Sequence, residues 1–103
     1  MTQFVSTENR GFQMTFANGW TISVQYGYGN YCSNHHHPNG YRFAMGQLMV
    51  TCPDAEIAIW NNNNQYYIFN FGDGYSDTVN GHCSPDEVAK WIDFTCKQEF
   101  VHY

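Results

Sequence analysis

Apolar and polar residues alternate most regularly between positions 12 and 26. Phe12, Met14 and Phe16 are separated by Gln13 and Thr15, and Trp20, Ile22, Val24 and Tyr26 by Thr21, Ser23 and Gln25. A period of two sends each set to one side of a pleated strand, which predicts two half-buried strands. Asn18-Gly19 lies between them. That dipeptide tolerates the positive φ of a twist-compatible two-residue turn, so the segment reads as a β-hairpin.

The same alternation returns in Ala55-Glu56-Ile57-Ala58-Ile59-Trp60, with Gln65-Tyr66-Tyr67-Ile68-Phe69-Asn70-Phe71 as the expected partner strand. The asparagines at 61–64 are the expected hairpin tip, because Asn accepts left-handed geometry and makes local side-chain turns. Residues 41–51 carry Phe43, Met45, Leu48, Met49 and Val50, but Gly46 interrupts the pattern, which predicts a bent or bulged strand. Residues 1–11 contain Ser6, Thr7, Glu8, Asn9 and Gly11 and read as a loosely held lead-in, with order beginning near Phe12. Near the other end, Ser84-Pro85-Asp86-Glu87 combines an N-cap serine, a first-turn proline and the acid of a capping box. Val88, Trp91, Ile92 and Thr95 then follow the 3.6-residue period, so a helix over 84–99 should lay its Trp91 face on the sheet. The expected architecture is one α+β domain over 1–103. An antiparallel sheet of about five strands, with its β region at 12–71, carries one C-terminal helix packed on one face.

Composition narrows the function classes. Only 13% of residues are charged, about half the usual share, while eight Tyr, eight Phe and three Trp supply a core. This is too aromatic for disorder and too polar for a membrane protein. With a net charge of −5 and Arg10, Arg42, Lys90 and Lys97 as the fixed cations, the chain offers no basic stripe for a phosphate backbone. Nucleic acid and membrane are therefore not expected partners. The start of the chain has neither a basic nor an apolar leader region, which leads to the expectation of a cytoplasmic protein with Cys32, Cys52, Cys83 and Cys96 as thiols. An oxidising compartment would instead permit two disulfides.

Candidate chemistry gathers in residues 27–40, where three Gly, one Pro and four Asn or Ser predict a long loop. Loops of that length are uncommon unless functional. Tyr28 and Tyr31 offer large contact area at small entropy cost, the chemistry of protein-binding loops, and could equally stack a nucleotide. Cys32 with His35 and His37 has spacing compatible with zinc, with Cys52, His82 or Cys83 as further ligands. The same residues could form a Cys–His nucleophilic pair oriented by Asn30, Asn34 or Asp73. A solvated polar loop explains them without either chemistry and is the favoured reading. Asp73 and Asp77, in a glycine-rich stretch, have part of a calcium-loop pattern, but a turn connecting strand to helix accounts for them.

The pattern Phe16-x-Asn18-Gly19-Trp20-Thr21-Ile22-Ser23-Val24-Gln25-Tyr26-Gly27-x-Gly29-Asn30-Tyr31-Cys32, with Ala55-Glu56-Ile57-Ala58-Ile59-Trp60 and Ser84-Pro85-Asp86-Glu87-Val88, resembles small uncharacterised proteins of tailed bacteriophages. That resemblance carries no catalytic residues. It implies a phage protein in the bacterial host cytoplasm, and such accessory proteins commonly bind host factors, including defence systems. The leading expectation is a non-enzymatic inhibitor of a host protein, needing no cofactor. Its contact residues would be Tyr26, Tyr28, Asn30, Tyr31, His35, His36, His37 and Tyr41. Two alternatives stand beside it: a sponge for a nucleotide-like small molecule, held in an aromatic pocket or at a homo-oligomer interface, and a zinc-binding domain or small Cys/His enzyme built on Cys32, His35 and His37.

Overall fold

In the computed structural model, which describes residues 2–100, the predicted hairpin is the spine of the sheet. Strand β2 (Gly11–Thr15) pairs antiparallel with β3 (Trp20–Gln25), setting Phe12 opposite Val24 and Met14 opposite Ile22. The turn differs from the expected two-residue form. Phe16 N–H donates to Trp20 O at 2.9 Å and Gly19 N–H to Phe16 O at 3.0 Å, enclosing a three-residue loop in which Gly19 takes φ 86°. This is the next commonest hairpin geometry, with glycine at its left-handed position. Asn18 has another duty: its amide donates to Thr95 O and Gln98 O, each at 2.9 Å, while its Oδ1 accepts from Trp20 N–H. Trp20 Nε1 adds a bond to Glu99 O at 3.0 Å. The turn thus grips the carbonyl end of the C-terminal helix, whose last C=O groups lack intrahelical partners.

That helix, α1 (Pro85–Cys96), starts as its sequence dictates. Ser84 Oγ accepts from Glu87 N–H, and Glu87 Oε1 accepts from Ser84 N–H. Losing such a cap costs about 1 kcal/mol. It ends at Cys96 rather than at 99. Trp91, Ile92 and Phe94 pack on a core of Ile22, Val24, Ile57, Ile59 and Phe69. Strand β4 (Ala55–Asn61) supplies the alternation that makes this possible: Ile57 faces Val24 and Ile59 faces Ile22 across the ladder, all on the helix side. The opposite face is polar, with Thr15 and Thr21 hydroxyls paired at 2.9 Å and Gln25 donating to Ser23.

Four expectations are corrected. The lead-in is ordered: β1 (Gln3–Ser6) adds an antiparallel edge to β2, from Gln3 opposite Thr15 to Ser6 opposite Phe12. Backbone pairing holds it, since Phe4 remains 79% exposed. Residues 41–51 form no strand; Gly40–Ala44 is a 3-10 helix, and left-handed Gly40 and Gly46 bend the chain away from any ladder. The segment after the Asn61 turn pairs with β4 briefly, at the bridge between Trp60 and Tyr66, through bonds from Asn61 N–H to Gln65 O and from Tyr67 N–H to Ile59 O. It then leaves to form a separate ribbon of β5 (Phe69–Gly72) and β6 (Tyr75–Asp77). Residues 72–77 are consequently a hairpin, not a link from strand to helix, with Gly72, Asp73 and Gly74 at positive φ. The remaining edge of β4 goes to β7 (Val79–Cys83), giving the order β1-β2-β3-β4-β7. The asparagine tip is a turn as expected, with Asn61 Oδ1 accepting from Asn63 and Gln65 N–H groups.

Candidate functional site

The connection from β3 to β4 spans residues 26–54, and its first half is fastened rather than loose. Gly27 closes onto Arg10, where an added Cβ would sit 2.8 Å from the arginine Cβ. Asn30 Oδ1 accepts from Gly27 N–H at 3.0 Å, and the Cys32 thiol points to Gly27 O at 3.5 Å. Two carboxylates at the start of β4 then act as anchors. Glu56 accepts from Tyr31 N–H at 3.0 Å; Asp54 accepts from Ser33 N–H at 2.6 Å and from Ser33 Oγ at 2.8 Å. Asn34 bridges Tyr26 O and Thr51 O, and His82 N–H donates to Tyr31 O at 2.8 Å. Strand β7 comes so close that a Cβ on Gly81 would fall 2.7 Å from that of Tyr31.

The sequence-predicted contact residues divide among three places. Tyr26 lines a cleft of about 400 Å³ between α1 and residues 50–55, together with Phe12, Val88 and Ile92. Tyr28 and Tyr41 meet edge to face at 4.7 Å, and with Arg10 and Phe43 they border a depression of about 280 Å³. Tyr31 is exposed, stacks on His35 at 5.5 Å, and lines a groove with Phe71, Tyr75 and His82. Asn30 is an internal brace whose carbonyl bonds His35 Nδ1 at 2.8 Å. His36 packs edge-on against His35, and His37 stacks on Phe43 while its Nδ1 accepts from Asn39 N–H.

The expected metal set of Cys32, His35 and His37 does not converge among the described residues. Cys32 instead meets Cys52 and Asp54, their ligand atoms all within 4.8 Å of one another, in a cluster with one thiol buried. All four cysteines are free. Burial pushes the Cys32 thiol up to about 12, outweighing the hydrogen bond from Asn34 N–H, and nearby Cys52 and Asp54 push the same way. A nucleophilic cysteine needs the reverse, a stabilised thiolate, so the Cys–His pair finds no support here. Burial likewise pushes Cys83 up to about 11. For Asp54, desolvation acts upward, but the hydrogen bonds from Ser33 and Cys52 and the charge of His82 prevail, holding the carboxyl below its ordinary value. Asp77 Oδ1 accepts from Thr78 N–H at 2.6 Å, and among the described residues no group of three possible metal ligands forms around Asp73 and Asp77.

Several functional candidates had no signal in the alternation. Met45, Leu48 and Met49 are 74%, 98% and 76% exposed, although the pattern assigns them to a strand. Asp54 is brought to Cys32 by the return of the chain beside β3 and by its bonds from Ser33. Gly46 within this run was the available sign that it would leave a regular strand, and of its large apolar side chains Phe43 is the one that is buried. Among the described residues no helix is long and apolar enough to cross a membrane. No protein-family model matches this chain, and comparison with curated proteins and with solved structures finds no match to it.

Proposed function

We propose that this chain is a non-enzymatic binding module that captures and inhibits a host protein in the bacterial cytoplasm, with the 41–49 segment as its contact surface. The observation that carries this reading is the cluster of Tyr41, Met45, Leu48 and Met49, each at least 65% exposed within nine residues. Apolar side chains left in water contribute nothing to the core, and contiguous exposed patches mark interaction sites. Methionine adapts to irregular partner surfaces, and tyrosine supplies amphipathic anchors. The resemblance to phage proteins makes a host protein the partner of choice. Tagged protein should enrich one host protein from an extract, and Tyr41→Ala combined with Leu48→Ala should abolish capture while the melting temperature stays unchanged. Equal capture by the variant would refute the surface; a concentration-dependent dimer lost in the same variant would replace the host partner with a second copy.

A small-molecule reading draws on one feature, Arg10 beside Tyr28 and Tyr41, in a depression that Glu8 also lines and where an anion must displace Glu8 from its 3.4 Å pair with the guanidinium. It pairs a cation with stacking rings, as a nucleotide-like anion requires. The larger cleft beside α1 is unsuited to that ligand, because Asp54 lines it and no cation does. Ligand released by heating purified protein, and absent from Arg10→Ala, would favour the sponge over the host-protein inhibitor.

A further inference from the structure

We propose that Cys32, Cys52 and Asp54 form a site for one thiophilic divalent cation, Zn²⁺ by preference, with its open coordination position facing the cleft beside α1. The argument starts from distances. Zn–S bonds of about 2.3 Å and Zn–O bonds of about 2.0–2.2 Å set tetrahedral edges of about 3.5 Å between sulfur and oxygen and about 3.8 Å between sulfurs. Cys52 Sγ already stands 3.4 Å from Asp54 Oδ1. All three ligand atoms lie within 4.8 Å of one another, so closing on a cation requires side-chain shifts of about 1 Å or less.

The surroundings orient the ligands. Ser33 holds both oxygens of Asp54, through its N–H on Oδ1 and its hydroxyl on Oδ2. Oδ1 keeps a second lone pair, now occupied by the Cys52 S–H, and a cation between these atoms would take the place of that proton. Such outer contacts tune metal affinity by about 10–100-fold. Cys32 is fully buried and receives a hydrogen bond from Asn34 N–H, which suits a thiolate, while its S–H contact with Gly27 O is given up on binding; Cys52 and Asp54 line the cleft. Two soft sulfurs select zinc-like ions over magnesium or calcium. Binding displaces one proton from each thiol to solvent, and the two thiolates and one carboxylate become the cation's ligands. The site shares no residue with the 41–49 surface, so failure of either proposal leaves the other standing.

The test uses the full chain, kept reduced, stripped with a chelator and titrated with Co²⁺, then with Zn²⁺ as competitor. One equivalent of Co²⁺ should bind, giving sulfur-to-cobalt charge-transfer absorption and the visible bands of a tetrahedral ion, both erased by Zn²⁺. Cys52→Ser and Asp54→Asn should each weaken binding by at least about 10-fold, since losing a ligand costs no less than losing an outer contact. Cys96→Ser, at an exposed position outside the cleft, should leave it unchanged. Because Cys32 is buried, Cys32→Ser risks misfolding, and the two cleft-side variants, checked by circular dichroism, carry the decision. Absence of charge-transfer absorption at one equivalent, or its survival in Cys52→Ser, would overturn the proposal. So would a Cys32–Cys52 disulfide that persists under these reducing conditions.

Discussion

The two halves of the β3–β4 connection share a composition of glycine, asparagine and aromatic residues, yet they fold by different rules. Residues 27–37 are tied to the sheet by the Asp54 and Glu56 carboxylates, by Asn34 and by His82 N–H. Residues 38–50 wind through a 3-10 turn and reach the strands through Asn9, which donates to Ala44 O at 3.4 Å and Gln47 O at 3.1 Å. The first half buries Cys32; the second leaves Leu48 almost wholly in water. Composition alone does not separate the fastened half from the exposed one. What separates them is whether the sheet end presents acceptors for the loop's N–H groups, because unpaired backbone donors are costly to bury.

The contrast can be broken from the fastened side first. Gly81→Ala should destabilise the fold by about 1–3 kcal/mol, since the new Cβ collides with Tyr31 and must force the loop off β7. Chemical denaturation reads this as a lower midpoint with unchanged slope. Asp54→Ala should cost about 1 kcal/mol by removing the two charge-assisted bonds from Ser33, whose exposed donors then turn to water. Asn18→Ala, which frees the helix-end carbonyls, should cost about 1 kcal/mol and raise amide exchange in the last turn of α1. On the other side, Leu48→Ala should move stability by no more than about 0.5 kcal/mol. It should still weaken partner capture.

Acidity offers a further contrast. Cys32 and Cys83 stay protonated in the fold up to about 12 and about 11, against an ordinary 9.0. Above pH 9 the unfolded chain therefore holds fewer protons than the native one, and stability falls as pH rises through the folded values. Below that the contribution is complete. Asp54 acts in the opposite sense: its lowered value adds stability above the ordinary 3.8, lost as pH falls below it. Urea midpoints measured across pH should drop at both ends, and Cys83→Ala should soften the alkaline drop.

The sequence makes parts of this architecture readable for physical reasons. The β2–β3 hairpin, β4 and α1 are legible because each buries one face, so periodicity and capping chemistry are written locally. Strands β1 and β7 are not, since Phe4 stays exposed and Asn80-Gly81-His82 carries no alternation; their order comes from hydrogen bonds to a neighbour. Asn18 was recognisable as a turn residue but not as the clamp on α1, a contact across 77 residues. The meeting of Cys32 with Cys52 and Asp54 depends on β4 returning beside β3; Cys52 was a candidate partner by residue type, whereas nothing local signals Asp54.

Amide hydrogen exchange on the free chain and on its captured complex tests the division of the connection most directly. The free chain should already protect the N–H groups of Tyr31, Ser33 and His82, while those of 46–50 exchange rapidly and gain protection only in the complex. Rapid exchange at Tyr31 and Ser33 in the free chain, or protection in the complex that bypasses 41–50, would contradict it.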